Sequence, residues 1–148
     1  MEVHTGLTTR IATQLEQHGL SPVEFEVLMR LTRSPEHRLR MSHLAAQTSL
    51  STSGVTRVVD RMERVGLLYR HACPSDRRSL YAVMTPAGVA RLDETLPGHL
   101  ELIERWFVSQ LEPEALQTLL GSLRVLRDAV HPGATAGGGE TVDLTVGS

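Results

Sequence analysis

Between Met41 and Thr85 the apolar and polar positions fall into two short helical periods, a tight polar turn and two strand-like segments. The first helical stretch, Met41 to Thr48, has Ser42 as its expected N-cap. Ser49-Leu50-Ser51 follows as a turn, and its one apolar residue, Leu50, is placed to plug the angle between two helices. Ser51 then caps a second helix running to about Val65, in which Val55, Val58, Val59, Met62 and Val65 form one apolar stripe. Its other face carries Ser53, Gly54, Thr56, Arg57, Asp60, Arg61 and Arg64. Gly66 stands where a left-handed residue ends a helix. Leu67–His71 and Ser79–Met84 read as strands around a Cys73-Pro74-Ser75-Asp76 turn, so the hairpin tip presents Asp76, Arg77 and Arg78.

The flanking chain is helical by the same criterion. Thr5–Gln17 places Leu7, Ile11 and Leu15 on one face and stops at Gly19. Ser21-Pro22 is a cap with proline in the first turn, opening a helix whose Phe25, Leu28, Met29 and Leu31 face inward. A loop at Ser34–His37 leads to Leu39, expected in a short strand beside the hairpin. Thr85 caps a long helix with Val89, Leu92, Leu96, Leu100, Ile103 and Phe107 in register. Pro97 falls within it and is expected to kink the helix without ending it. Glu112-Pro113-Glu114 opens a last helix with Leu116, Leu119, Leu120, Leu123, Leu126 and Val130 on one side. Leu-rich stripes at both ends offer more apolar surface than one small domain covers. Packing inside the monomer is the plain alternative. Exchange across a homodimer is the preferred one, through Leu7, Ile11, Leu116, Leu119, Leu123 and Leu126. The expected organisation is one domain over residues 1–131, with a central unit at about 21–85, dimerisation helices at 1–18 and 86–131, and a flexible Gly/Ala/Thr-rich tail at 132–148.

A helix that inserts end-on into a DNA groove needs small and hydroxyl residues at its tip, so that bulk does not block approach. It also needs an arginine that can bond guanine bidentately. Ser51, Ser53, Gly54, Thr56, Arg57 and Arg61 have that pattern, and Gly54, poor in a helix, fits the close approach of a ligand. Alone, the pattern also fits an ordinary amphipathic surface helix. The arginine-bearing hairpin that follows decides the matter, since the negative minor groove attracts arginine and Asp76 is placed to orient Arg78. The net charge of the 148-residue chain is −2, which at first argues against nucleic acid. Its distribution answers the objection. Residues 41–85 hold Arg57, Arg61, Arg64, Arg70, Arg77 and Arg78 against Asp60, Glu63 and Asp76, a local +3, while residues 86–148 balance to −5. Lys is absent, so every cationic contact other than His must come from Arg.

These residues resemble the multiple-antibiotic-resistance-regulator (MarR) family of winged helix-turn-helix proteins. The resemblance covers roughly residues 5–130. It is carried by Gly19–Leu28, by Leu44-Ala45 with Leu50-Ser51, by Val55–Glu63 with Gly66-Leu67, and by Asp76-Arg77-Arg78 with Thr85-Pro86-Ala87-Gly88. It implies a mainly α (α+β) fold and a homodimer that binds double-stranded DNA with a recognition helix at Thr52–Val65 and a wing at Ala72–Ser79. By position, Ser53, Gly54, Thr56 and Arg57 match the family's major-groove contacts, Arg78 its minor-groove arginine, and Asp76 that arginine's orienting partner. The function implied is a transcription regulator, expected to be a repressor at a pseudo-palindromic operator and released by a small ligand.

No phosphate-binding glycine loop, nucleophile elbow or paired-Cys metal motif is present, so an enzyme is not expected, and neither is a cofactor. The seven histidines lack ligand spacing, leaving only a zinc site assembled in space. Cys73 excludes an internal disulfide. As a wing residue it is expected to be exposed, with Arg70 and His71 near enough to lower its pKa. There is neither a membrane-length apolar run nor a signal-peptide pattern, so a cytoplasmic protein is expected. The rival reading is a winged-helix protein-interaction module that does not bind DNA, in which Arg57 and Arg78 would be dispensable.

Overall fold

A computed structural model describes residues 1–135. The order is α1 (Glu2–Glu16), α2 (Pro22–Thr32), β1 (Arg38–Arg40), α3 (Met41–Thr48), α4 (Thr52–Arg64), β2 (Leu68–Cys73), β3 (Asp76–Met84), α5 (Pro86–Trp106) and α6 (Pro113–Val130). Local chemistry sets most of these boundaries. Ser21 and Glu24 form a reciprocal capping box at the start of α2, with Pro22 in the first turn. Ser51 Oγ accepts from the Gly54 N–H at 3.0 Å to start α4. Thr85 Oγ1 accepts from the Gly88 N–H at 3.0 Å and donates to the Gly66 carbonyl at 2.6 Å, so one hydroxyl starts α5 and ties it to the loop after α4. Gly66 adopts φ 77°, the left-handed conformation that ends α4.

The three strands form one antiparallel sheet in the order β1-β3-β2, with Leu39 opposite Ala82 and Leu68 opposite Met84. Its inner face packs on α2, α3 and α4. Leu28, Leu31, Leu44, Val55, Val59, Met62, Leu68 and Ala82 are buried there together with Leu15 of α1 and Leu92 of α5. The result is a winged helix-turn-helix unit, as the periodicities indicate. The entry of α5 lies so close to the loop after α4 that a Cβ on Gly88 would stand 2.3 Å from the Leu67 carbonyl oxygen. Helix α5 runs through Pro97 without ending. Helix α6 has no buried residue, and its Leu123, Leu126 and Val130 are 46 %, 57 % and 80 % exposed. Among the described residues, no helix is long and apolar enough to cross a membrane.

Several expectations need correction. Ser42 is not a cap: the cap position falls two residues earlier, at Arg40, with no side-chain cap bond, because β1 runs straight into α3. Val65 is outside the apolar stripe, exposed at the C-cap where the helix has already turned away from the core. The hairpin turn is shorter than read. Cys73 pairs with Asp76 across Pro74-Ser75, which places Asp76, Arg77 and Arg78 on β3. Ile11 packs half-buried against the core of the chain itself. Pro132–Thr135 is not tail but a 3-10 turn with Ala134 buried; the rest of the expected tail, 136–148, lies outside the described residues.

Candidate nucleic-acid interface

The exposed side of α4 and the end of the β2–β3 hairpin carry the residues expected to read DNA. Ser51, Ser53, Thr56 and Arg57 are all exposed on the first turns of α4. Ser51 Oγ lies 3.2 Å from Ser53 Oγ, and the Thr56 hydroxyl donates to the Thr52 carbonyl at 2.8 Å, leaving its lone pairs outward as acceptors. Gly54 has a local reason within the cap itself. A Cβ there would sit 3.1 Å from Ser51 Oγ and 3.6 Å from Leu50 Cβ, so the cap itself needs the space.

The arginines separate into two groups. Arg61 is not free: its Nε donates to Glu24, whose other oxygen accepts the Ser21 N–H at 2.8 Å. Glu24 is buried, which raises its pKa, yet the Ser21 and Arg61 hydrogen bonds outweigh burial and hold the carboxyl below its ordinary value. Arg61 therefore fastens α4 to α2, and the structure does not group it with Arg57. Arg70, expected from the sequence only as a neighbour of Cys73, bonds Glu63 and Asp60 (2.7 Å) and the Thr56 carbonyl (3.3 Å), clamping β2 to α4. Both acids of α4 are thereby neutralised. Among the described residues, Arg57, Arg64, Arg77 and Arg78 carry no ion pair, so free positive charge remains on α4 and the wing.

At the wing, the register passes from Cys73 opposite Asp76 to Ala72 opposite Leu80, so Arg77, Arg78 and Ser79 have no cross-strand partners. Asp76 organises this bulge, although not as expected. Its carboxylate accepts from the Arg78 backbone N–H at 3.0 Å and from Ser79 Oγ at 2.7 Å, and leaves the Arg78 guanidinium unpaired. The Ser79 and Arg78 bonds hold its pKa below the ordinary carboxylate value. Asp76 thus shapes the loop that presents Arg78.

Cys73 also departs from expectation. It is 2 % exposed, with Sγ 3.2 Å from Ser75 Oγ and 3.8 Å from the Tyr81 hydroxyl. Hydrogen bonding, first from Ser75, lowers the thiol from 9.0 to about 7 despite the cover of its neighbours; Arg70 points to the other face of the sheet and takes no part. Arg40, likewise missed in the sequence, reaches the same face: it pairs with Tyr81 across β1 and β3, its guanidinium carbon lies 5.9 Å from the Tyr81 ring centre, and the neighbouring Tyr81 raises its pKa. No periodic pattern could have announced these contacts, since the β1–β3 pairing makes them.

Away from this surface, an open groove of about 680 Å3 between α1 and α5 is lined in part by Thr9, Arg10, Gln14, Leu102 and Trp106. The Arg10 guanidinium lies 3.9 Å from the Trp106 ring centre. Gln14 Oε1 is buried without a hydrogen-bond partner, as is His99 Nδ1 nearer the core. No group of three or more His, Cys, Asp or Glu able to hold a metal occurs among the described residues.

Comparison with known proteins agrees with this geometry. The MarR family model matches residues 18–79, which include α2 through the hairpin tip. The chain is 37% identical over 110 residues to the uncharacterized HTH-type transcriptional regulator YkoM of Bacillus subtilis, covering 74% of this chain and 69% of that protein. Its fold superposes on AbsC, a MarR family transcriptional regulator from Streptomyces coelicolor, with TM-score 0.84, 34% identity and 88% of each chain covered. It also superposes on Sco3205, a MarR family regulator of the same organism crystallised in complex with DNA, with TM-score 0.83, 32% identity and coverage of 88% of this chain and 82% of that one.

Proposed function

The chain belongs to the MarR family and is a DNA-binding transcription regulator, not an enzyme, and from that premise we propose that it acts as a homodimeric repressor on a two-fold-symmetric operator. Two recognition helices enter successive major grooves about one helical turn apart, and the wings reach the flanking minor grooves. Ser53, Thr56 and Arg57 read base edges, while Arg77 and Arg78 enter the minor groove from the bulge that Asp76 holds. The observation that carries this reading is the selective neutralisation of the surface. Arg61 and Arg70 are tied down by acids, whereas Arg57, Arg77 and Arg78 stand free. A protein-interaction module gains nothing from that separation.

Release comes from a small ligand that binds one spacing of the two wing units better than the other. The α1/α5 groove, with Arg10 for an acidic group and Trp106 for a ring, suits an aromatic acid.

The test is fluorescence anisotropy on a duplex selected from random sequence, over a salt series. Wild type should prefer the selected duplex strongly and weaken steeply as salt rises. Arg57→Ala and Arg78→Ala should each lose about 1–3 kcal/mol and relax sequence preference at their own positions. Equal binding by both variants would remove α4 and the wing from the interface.

A further inference from the structure

The chain does not leave the molecule at the end of α6. His131 turns it back, and Pro132–Thr135 lies across α3. Three contacts hold this strap. His131 Nε2 lies 2.7 Å from the Ala46 carbonyl oxygen and 2.9 Å from Ser49 Oγ. A carbonyl can only accept, so Nε2 carries the proton and donates it there. Gly133 abuts Ala46 so closely that a Cβ would stand 3.0 Å from the Ala46 oxygen and 3.3 Å from its Cβ. The Ala134 carbonyl accepts from Arg30 Nη1 at 2.9 Å, and Arg30 is braced by Glu26 of the same helix at 3.1 Å.

What the strap grips matters. Ala46 is in the last turn of α3, and Ser49, at φ 54°, is the left-handed residue that swings the chain from α3 towards the Ser51 cap of α4. These residues stand where the two helices of the DNA-reading pair join. At its other end the strap continues directly from α6, whose apolar face is open within the subunit. Besides the Thr85 junction with α5 and the packing of Leu92 in the core, residues 131–135 thus give each reading unit a further tie, into α6. A body tied at one place can swivel about it; a second, separate tie removes part of that freedom.

We propose that His131 and Gly133 are positioning residues for operator binding: the strap fixes the orientation of each helix-turn-helix on the dimer, and with it the spacing between the two recognition helices. The inference rests on the dimeric-operator reading above. It adds a specific device that converts movement of α6 against a second copy into movement of the reading unit as a whole.

The experiment measures affinity of the full chain for the selected two-fold operator, for the same operator with one base pair added to or removed from its centre, and for a single half-site. Variants are His131→Ala, Gly133→Val and His131→Gln, the last restoring a donor at the position of Nε2. His131→Ala and Gly133→Val should bind the full operator roughly tenfold more weakly, on the scale of one lost hydrogen bond and its packing. Both should keep half-site affinity and lose much of the preference for the native spacing, while His131→Gln stays close to wild type. A purely structural role would lower half-site binding equally and leave spacing preference alone, and that result overturns the proposal. So does an unchanged spacing preference in both variants. If wild type itself selects no two-fold sequence, the operator reading falls and this inference with it; if wild type selects one, the inference alone is at stake.

Discussion

Single residues here act through where they are held more than through what they are. Gly88 is the plainest case. It needs no unusual backbone angle, but any side chain would meet the Leu67 carbonyl oxygen at 2.3 Å and Met84 Cγ at 2.8 Å. Because the first of these is backbone, the strain cannot be relieved by a rotamer change, and Gly88→Ala should destabilise the fold by about 3 kcal/mol, read from urea unfolding. A wild-type midpoint in that variant would mean that α5 can slide. His99 gives a prediction in pH. Its ring lies 4.6 Å from that of Phe25, centre to centre, and burial holds its pKa below 6.5. The unfolded chain therefore binds a proton at higher pH than the folded one. The contribution of neutral His99 is complete above pH 6.5 and is lost as pH falls through the lower folded value. Urea midpoints at about pH 5.5 and pH 7.5 should differ more in wild type than in His99→Gln. Equal differences would assign the acid sensitivity to other groups.

At the scale of elements, the clamp between β2 and α4 carries the argument. Arg70, 20 % exposed, holds Asp60 and Glu63 on α4. Arg70→Leu frees both carboxylates on a helix meant to approach phosphates, and removes the tie that sets the wing against α4. It should cost about 1–2 kcal/mol of stability, between the values for surface and buried pairs. It should also weaken DNA binding most at low salt, where the released charges are least screened. A stability loss with DNA affinity intact would make the clamp structural only. This clamp also shows what the sequence could and could not tell. Caps at Ser21, Ser51 and Thr85 and the left-handed Gly66 were legible, because each acts within a few residues of itself. The alternating strands and the valine stripe of α4 were legible for the same reason. By contrast, Glu24 and Arg61 are 37 positions apart, and His131 and Ala46 are 85 apart. Pairings of that kind leave no periodic trace. Asp76 is legible as the partner of Arg78 by proximity, but spacing along the chain does not distinguish a guanidinium from a backbone N–H two residues on, and it is the N–H that Asp76 accepts from.

For the whole molecule, the acidic chain and its basic reading surface belong to one design. The overall charge of −2 limits indiscriminate attraction to DNA, and unpaired arginine is kept on α4 and the wing. A reading unit of this size touches one half-site and binds it weakly, so useful affinity needs two units held together, the second binding as an intramolecular event. The surface proposed for that union is α6 with the outer part of α5, where Leu100, Leu123, Leu126 and Val130 stand 60 %, 46 %, 57 % and 80 % exposed. An apolar face of that extent is rarely left to water. Replacing Leu123 and Leu126 together by Glu puts two charges on it without touching the core, since neither residue is buried. In sedimentation equilibrium at micromolar concentration, wild type should be a dimer and the double variant a monomer. The urea midpoint of wild type should rise with protein concentration, and that of the variant should not. Half-site affinity should survive while binding to the full operator drops to the level of a half-site. If the variant instead remains dimeric with full operator affinity, the two copies meet elsewhere, and the strap at residues 131–135 would transmit nothing from α6 to the reading helices.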